Sequence, residues 1–489
     1  MSAPSLSEQL ALVAADPALA GHPVVAGLVV AVDAELATLR TQLAELQEAI
    51  VDLRRQRDRH SGNSGQPPSQ DGPSAPPRTR SRRRSRGRKP GGQPGHAGTT
   101  RTQVASEQVG VHVDHWPDRC DGCGAALPRI AAGAPARRQV HDLPDPPPLA
   151  VTEHRAQAVC CPGCRTRTRA AFPAAVAGPV QFGPRLEAWV AYLRYAQHLP
   201  TARLRDLLRE LHGVSLSTGT VETLCRRAVA RQAARASQLR AQALALPVAC
   251  MDETGLRVAG AMRWLHVSCD DRFTHYRLGA RSAIWAEYTG IAVHDRLASY
   301  WTRLSDETAH GVCNAHLLRN LEEIVELEKA PDGWAAAMQT LLREARDTAV
   351  HWCNTTGGPV PEPVRRQTAA AWDALLAPVL DHYESLPPPA CGRHRGHNLA
   401  LALWTLRDAC LLFLADPRVP FTNNLAEQAL RMAKLQMKIS GGFRTPAGAE
   451  RFARMRGLIE TARKQGHNLL DLLRLDPEAP VPWLDPVPP

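Results

Sequence analysis

With 489 residues, 44% of them hydrophobic and 22% charged, the chain has a globular composition and more length than one core usually organises, so roughly two to four domains are expected. The formal charge of +11 points to a polyanion, but eight Lys or Arg fall within 78–89 with no acid among them, leaving only about +3 elsewhere, which excludes a uniformly basic surface. Twelve cysteines are too sparse for a disulfide scaffold, and the apolar run Val24 to Val32 is too short for a membrane span and lacks a basic leader, so neither signal peptide nor transmembrane helix is expected in a cytoplasmic chain.

The first element, in residues 1–59, carries Val29, Val32, Leu36, Leu39, Leu43, Leu46, Ile50 and Leu53 at alternating spacings of three and four. That heptad stripe predicts a short coiled coil and hence a homo-oligomer, with an amphipathic helix packed on its own chain as the alternative. Residues 60–100 turn to Ser, Gly, Pro, Gln and Arg and predict a disordered basic arm, or a solvated linker. Its Arg82, Arg83, Arg84, Arg86, Arg88 and Lys89 would follow DNA phosphates by charge without reading sequence.

Cys120-Asp-Gly-Cys123 and Cys161-Pro-Gly-Cys164 then supply four thiolates for one structural Zn2+ in a ribbon spanning 101–175, with Cys160 as a possible substitute for Cys161. Residues 176–245 read as helical: Pro184 to about His198, Thr201 to His212 ended by Gly213, and a third helix from Ser217 or Thr218 that carries Arg226. Two helices joined by a short turn suggest a helix-turn-helix-like DNA-binding region.

From 246 the period changes to short extended runs, VACMD, MRWLHVSCD, FTHYRLG and GIAVHD. Three strands in a meander, then a helix and a further strand, predict a ribonuclease-H-like α/β domain over 246–466, with Asp252 and Asp295 ending the first and fourth runs in the crevice where ligands gather. Glu427 follows an Asn423 or Asn424 cap and leads a stripe with Arg431, Lys434 and Lys438, an acid beside a basic row that suits a metal-bound phosphodiester. Duller readings stand beside these. Asp295 could cap a helix starting at Arg296, Asn424 and Glu427 could form a capping box with a Glu427–Arg431 pair, and Glu253 could replace Asp252. About 317–415 reads as a helical insertion, and 467–489 as a C-terminal tail.

The segments GRKPGGQPGHAGTTR, MDETGLRV, VHDRLASYW, CNAHLLRNL and PFTNNLAEQALRMAKLQMKISGGFRTPAGAERFARMRGLIETARKQG, with the cysteine pairs, resemble the IS66 family of bacterial insertion-sequence transposases. The resemblance implies a leucine-zipper start, zinc and helix-turn-helix character, and a DDE domain whose acids fall on Asp252, Asp295 and Glu427. The arm departs from it, since such transposases often carry Ser-rich or Lys-rich text there. The implied enzyme is a nucleoid-associated DNA transposase acting on element ends and target DNA, with possible accessory proteins of the same element.

Three carboxylates holding two Mg2+ or Mn2+ ions about 4 Å apart would clamp the attacking and leaving oxygens of an in-line phosphoryl transfer. Water cuts first, and the freed 3′ hydroxyl then attacks the target. The rivals are a metal-dependent nuclease or resolvase on the same fold, and a catalytically inactive zinc-containing regulator. Cys313 and His316 share their spacing with Cys391 and His394, which could make a second zinc site; the preferred expectation sets His316 beside Asp295, against a phosphate or a metal-bound water.

Overall fold

The computed structural model describes residues 22–58, 101–389, 392–481 and 484, with positions 9, 12, 13, 15 and 16. The Arg-rich run of 82–89 and Cys391 lie outside the described residues. The chain divides into two compact units, one of residues 77–151 with 210–214, the other of the remainder.

In the smaller unit the described chain is extended and turned, with a single 3-10 turn at Ser106–Gln108. Gln139 ties two of its segments together, accepting from Val104 N at 2.8 Å and donating back to Val104 O at 2.9 Å.

The larger unit begins with α1 (Pro23–Asp58), one continuous helix. Its heptad residues from Leu39 to Leu53 face solvent: Leu43 is 57% exposed and Leu46 62%. A short hairpin follows, β1 (Ala158–Cys160) antiparallel to β2 (Arg167–Arg169). Then come α2 (Pro184–Ala191), α3 (Thr201–His212), α4 (Thr218–Arg231) and α5 (Ala233–Leu244). The apolar helix expected to reach His198 ends its α geometry at Ala191 and continues as a π turn over Tyr192–Ala196, after which His198 takes a left-handed φ of 57°. Its buried ring bonds Gln436 at 3.1 Å, and that bond holds the strained position. Ser217 caps α4 by accepting from Thr220 N at 3.0 Å.

The sheet has strands β3 (Val248–Val258), β4 (Ala261–Cys269), β5 (Thr274–Gly279), β6 (Ile291–His294) and β7 (Ala309–Val312), in the order β5-β4-β3-β6-β7. β3 is antiparallel to β4 and parallel to β6, so it is central and its start, Val248 to Met251, is buried. Two expectations are corrected. β3 does not end at Asp252: its pairing with β4 continues to Val258↔Ala261, whereas β6 accompanies it only as far as Cys250. No helix precedes β6 either. Residues 280–290 form a packed connection instead, in which buried Trp285 and Tyr288 replace helical hydrogen bonding and the Tyr288 hydroxyl donates to Leu246 O and Ile291 O.

α6 (Ala298–Arg303) links β6 to β7, and five helices follow: α7 (Asn314–Glu328), α8 (Trp334–Thr356), α9 (Glu362–Ser385), α10 (Arg395–Thr405) and α11 (Arg407–Ala415). No single helix among the described residues is long and apolar enough to cross a membrane. The bent pair α10 and α11 matches such a span by length and composition, but Leu403, Cys410 and Leu414 on it are buried in the protein.

The chain returns to the sheet through α12 (Asn424–Ser440), α13 (Pro446–Lys464) and α14 (Leu469–Arg474). α12 is tied to β3 at both ends. Ahead of its first turn Asn423 Nδ2 donates to Met251 O at 2.6 Å; after its last, Phe443 N donates to Arg257 O and Ala259 N to Phe443 O, each at 2.8 Å. α13 approaches β5 at Gly457, where a Cβ would stand 3.0 Å from Thr274 O and 3.2 Å from Leu239, so a side chain there would push against the strand.

Candidate active site

The parallel register of β3 and β6 ends with Cys250 opposite Val293, and Asp252 and Asp295 each lie two residues beyond that last pair. Asp295 stands on a built bend. Arg296 has a φ of 76°, rare for a residue with a Cβ, and its N–H donates to His294 Nδ1 at 3.2 Å. That leaves the His294 proton on Nε2, 3.0 Å from His310 Nδ1, and burial holds His294 down at about 3, so the ring stays neutral. Helix α6 starts at Ala298 with Leu297 as its N-cap; Asp295 Oδ1 accepts from Leu297 N at 3.1 Å, and the cap expected for a helix from Arg296 is not formed.

Glu427 comes from the first turn of α12. The N-cap is Asn423, so Glu427 is the fourth helical residue and no capping box with Asn424 exists. The Asn423 side chain makes no cap bond: its Nδ2 donates to Met251 O, one residue before Asp252, and its Oδ1 is buried without a donor. Nor does a Glu427–Arg431 pair form among the described residues. The Glu427 carboxylate instead lies 3.6 Å from His316 Nδ1 and 3.7 Å from Arg319, both on α7.

Asp252 feels the other two acids. Burial first, then the charge of Asp295, then in lesser degree Glu253 and Glu427, push Asp252 up to about 8. Glu253, the alternative to Asp252, points to the other side of the strand, where the Tyr300 hydroxyl donates to Oε2 at 2.9 Å and Arg281 lies 3.7 Å from Oε1. Burial and then Asp295 raise its pKa.

His316 opens α7 beside Cys313, and burial with the Arg319 charge lowers its pKa. Cys313 is fully buried, its thiol raised by burial and its Sγ accepting from Asn423 N at 3.1 Å. His394 is engaged elsewhere, stacked on Tyr383 and bonding Pro387 O at 3.0 Å. Arg431, Lys434 and Lys438 are exposed on α12, and Arg226 is exposed on α4. Two contributors have no motif of their own: Asn423, which reads as an ordinary cap, and the His294–His310 pair, whose partners are sixteen residues apart.

Each cysteine pair sits in a tight turn. Gly124 N donates to Cys120 O and Cys120 N to Ala125 O; Arg165 N donates to Cys161 O and Cys161 N to Thr166 O, with matching distances of 2.8 and 2.9 Å. Gly124 and Arg165 take the left-handed φ, 73° and 61°, that closes each turn. Hydrogen bonds lower the Cys120 and Cys164 thiols, through Cys123 and Gly122 backbone in the first and Thr166 in the second.

Residues 179–451 match the family model described as "Transposase IS66 family", and residues 23–102 match a "Family of unknown function (DUF6444)". No curated protein matches the chain.

Proposed function

The chain belongs to the IS66 transposase family, and from that premise we propose that it is a DDE-type enzyme that cuts and rejoins DNA with Asp252, Asp295 and Glu427. The observation that carries this reading is the double tether of α12 to β3, which supports Glu427 acting over the Asp252–Asp295 pair. The five-stranded order, three antiparallel strands followed by two parallel ones, is consistent with a ribonuclease-H-like domain over 246–466 bearing an inserted helical region.

The residues fit a divalent metal pair. Asp252 is pushed up to about 8 first by burial and then by the charge of Asp295, with a lesser push from Glu427, and the buried Glu427 Oε1 has no hydrogen-bond donor, a setting that a divalent cation would relieve. Mg2+ or Mn2+ held there would supply activation of the attacking oxygen and stabilisation of the leaving 3′ oxygen. The protein's part is orientation. The His294–His310 pair fixes the bend that carries Asp295, Asn423 fixes Glu427, and Arg319 and His316 lie where a scissile phosphate would be received.

Around this centre we assign DNA binding to the arm (Arg82, Arg83, Arg84, Arg86, Arg88, Lys89), to Arg226 in a helix-turn-helix-like region, and to the row Arg431, Lys434 and Lys438. The cysteine turns are read as a zinc ribbon and α1 as a self-association helix, whose exposed leucines suit a coiled coil. Replacing the arginines of 82–88 by Ser is expected to weaken binding alike for all DNA sequences and flatten its salt dependence; a loss confined to element ends would reassign the arm to base reading. Incubation with candidate end DNA and Mg2+ should yield both cleaved and joined products. Cleavage without joining would make it a nuclease or resolvase, and binding without either a regulator.

A further inference from the structure

We propose that Cys313, His316 and Glu427 form a binding site for one thiophilic divalent cation of the Zn2+ class, and that its occupancy withdraws Glu427 from Asp252 and Asp295 and arrests DNA cleavage. The site itself stands on geometry alone; the arrest rests on the reading of Glu427 as the third catalytic acid.

Cys313 Sγ, His316 Nδ1 and a Glu427 carboxylate oxygen all lie within 4.8 Å of one another. A tetrahedral ion with ligands at roughly 2.0–2.3 Å holds its donor atoms roughly 3.3–3.8 Å apart. The 3.6 Å between His316 Nδ1 and Glu427 Oε1 falls in that interval and is too long for a hydrogen bond. Both atoms are buried, and neither has a hydrogen-bond partner. Buried polar atoms are normally satisfied, and two orphans facing each other beside a thiol leave room for a shared cation. Packing explains the burial of Cys313 as a small apolar residue. It does not explain why the nitrogen and oxygen lack a hydrogen bond, since Arg319, the cation nearest that oxygen, stands 3.7 Å away.

The scaffold is fixed from both sides. Cys313 is the N-cap of α7 and His316 its third residue, joined by His316 N donating to Cys313 O at 3.1 Å. Asn423 N donates to Cys313 Sγ, a bond that favours thiolate, and the other end of the same residue holds the loop that delivers Glu427. One sulfur, one imidazole nitrogen and one carboxylate select Zn2+ over Mg2+, which prefers an all-oxygen shell. Three protein ligands also leave a fourth position open.

The test uses the full chain, stripped with chelator and then equilibrated with Zn2+ alone. Wild-type protein should hold one more zinc per chain than Cys313→Ser, while Cys120→Ser loses a separate equivalent and the double variant loses both. Equal zinc content and affinity in wild type and Cys313→Ser would overturn the site. If circular dichroism finds that variant unfolded, His316→Gln and Glu427→Gln read the same stoichiometry, and unchanged zinc in both is equally fatal. With Mg2+ present, Zn2+ should inhibit wild-type cleavage, and Cys313→Ser should need at least about tenfold more Zn2+ for half inhibition. Loss of the extra zinc without that shift keeps the site and overturns the arrest. Wild-type protein that never cleaves DNA would count against the catalytic reading, while the zinc count would still decide the site.

Discussion

The turns at Cys120 and Cys161 are alike to within 0.1 Å in their two backbone hydrogen bonds, and each closes within six residues of sequence. The acids at 252, 295 and 427 are carried by a parallel strand pair, a left-handed bend and a helix tied at both ends, elements far apart in sequence. The first region is built by local turn chemistry and the second by tertiary packing. A local site is expected to fail locally when altered. A packed site should transmit damage into the sheet that supports it.

The largest expected effect lies in the packed site. Asp252→Asn, Asp295→Asn or Glu427→Gln should each lower the cleavage rate by about 10³-fold or more, with DNA binding retained in a gel-shift assay, because charge is lost at nearly constant volume. Cleavage kept in any one variant removes that residue from the centre.

Next come the cysteines. Cys120→Ser or Cys164→Ser should release about one zinc per chain and speed hydrogen exchange across 115–170, while amides of β3 and β4 stay protected. Exchange that rose in the sheet as well would erase the contrast between the regions.

Asn423→Ala tests the tether. It leaves Met251 O without its buried donor and should cost about 1–3 kcal/mol in denaturant unfolding while also slowing cleavage. An unchanged rate would mean that the helix, not the tether, holds Glu427.

The smallest effect is in pH. Asp252 has a folded-state pKa of about 8 against an ordinary 3.8, so folding takes up a proton between those limits. Without divalent metal, stability should therefore be greatest on the acid side of that window and fall as pH rises through about 8. Asp252→Asn should flatten this part of the curve in thermal melts, and an identical slope in both proteins would contradict the assigned cause.

Much of this was legible in the chain. Heptad spacing marked α1, paired Cys-x-x-Cys marked the turns, and short extended runs marked four of the five sheet strands, because each signal depends on neighbours a few residues away. The acids were proposed by motif, and the text around Glu427 is long enough to identify the family. Sequence misread what depends on distant partners. Asn423 looked like a cap, because the carbonyl that takes its proton is 172 residues away. β3 seemed to stop at Asp252, because nothing local says that an antiparallel neighbour continues after the parallel one has ended. The helix expected before β6 gave way to a connection held by Trp285 and Tyr288, whose burial no local pattern encodes.

The sequence by itself thus determined the types of element and the residue chemistry, written in spacing and composition, and the family, carried by the resemblance of its motif text. Only the tertiary structure decided that His316 faces Glu427 and Cys313, with His394 engaged elsewhere. Both histidines sit three residues after a cysteine, so spacing cannot tell them apart. What separates them is the return of α12 to β3, and that return is a long-range closure stabilised by contacts with no local signature.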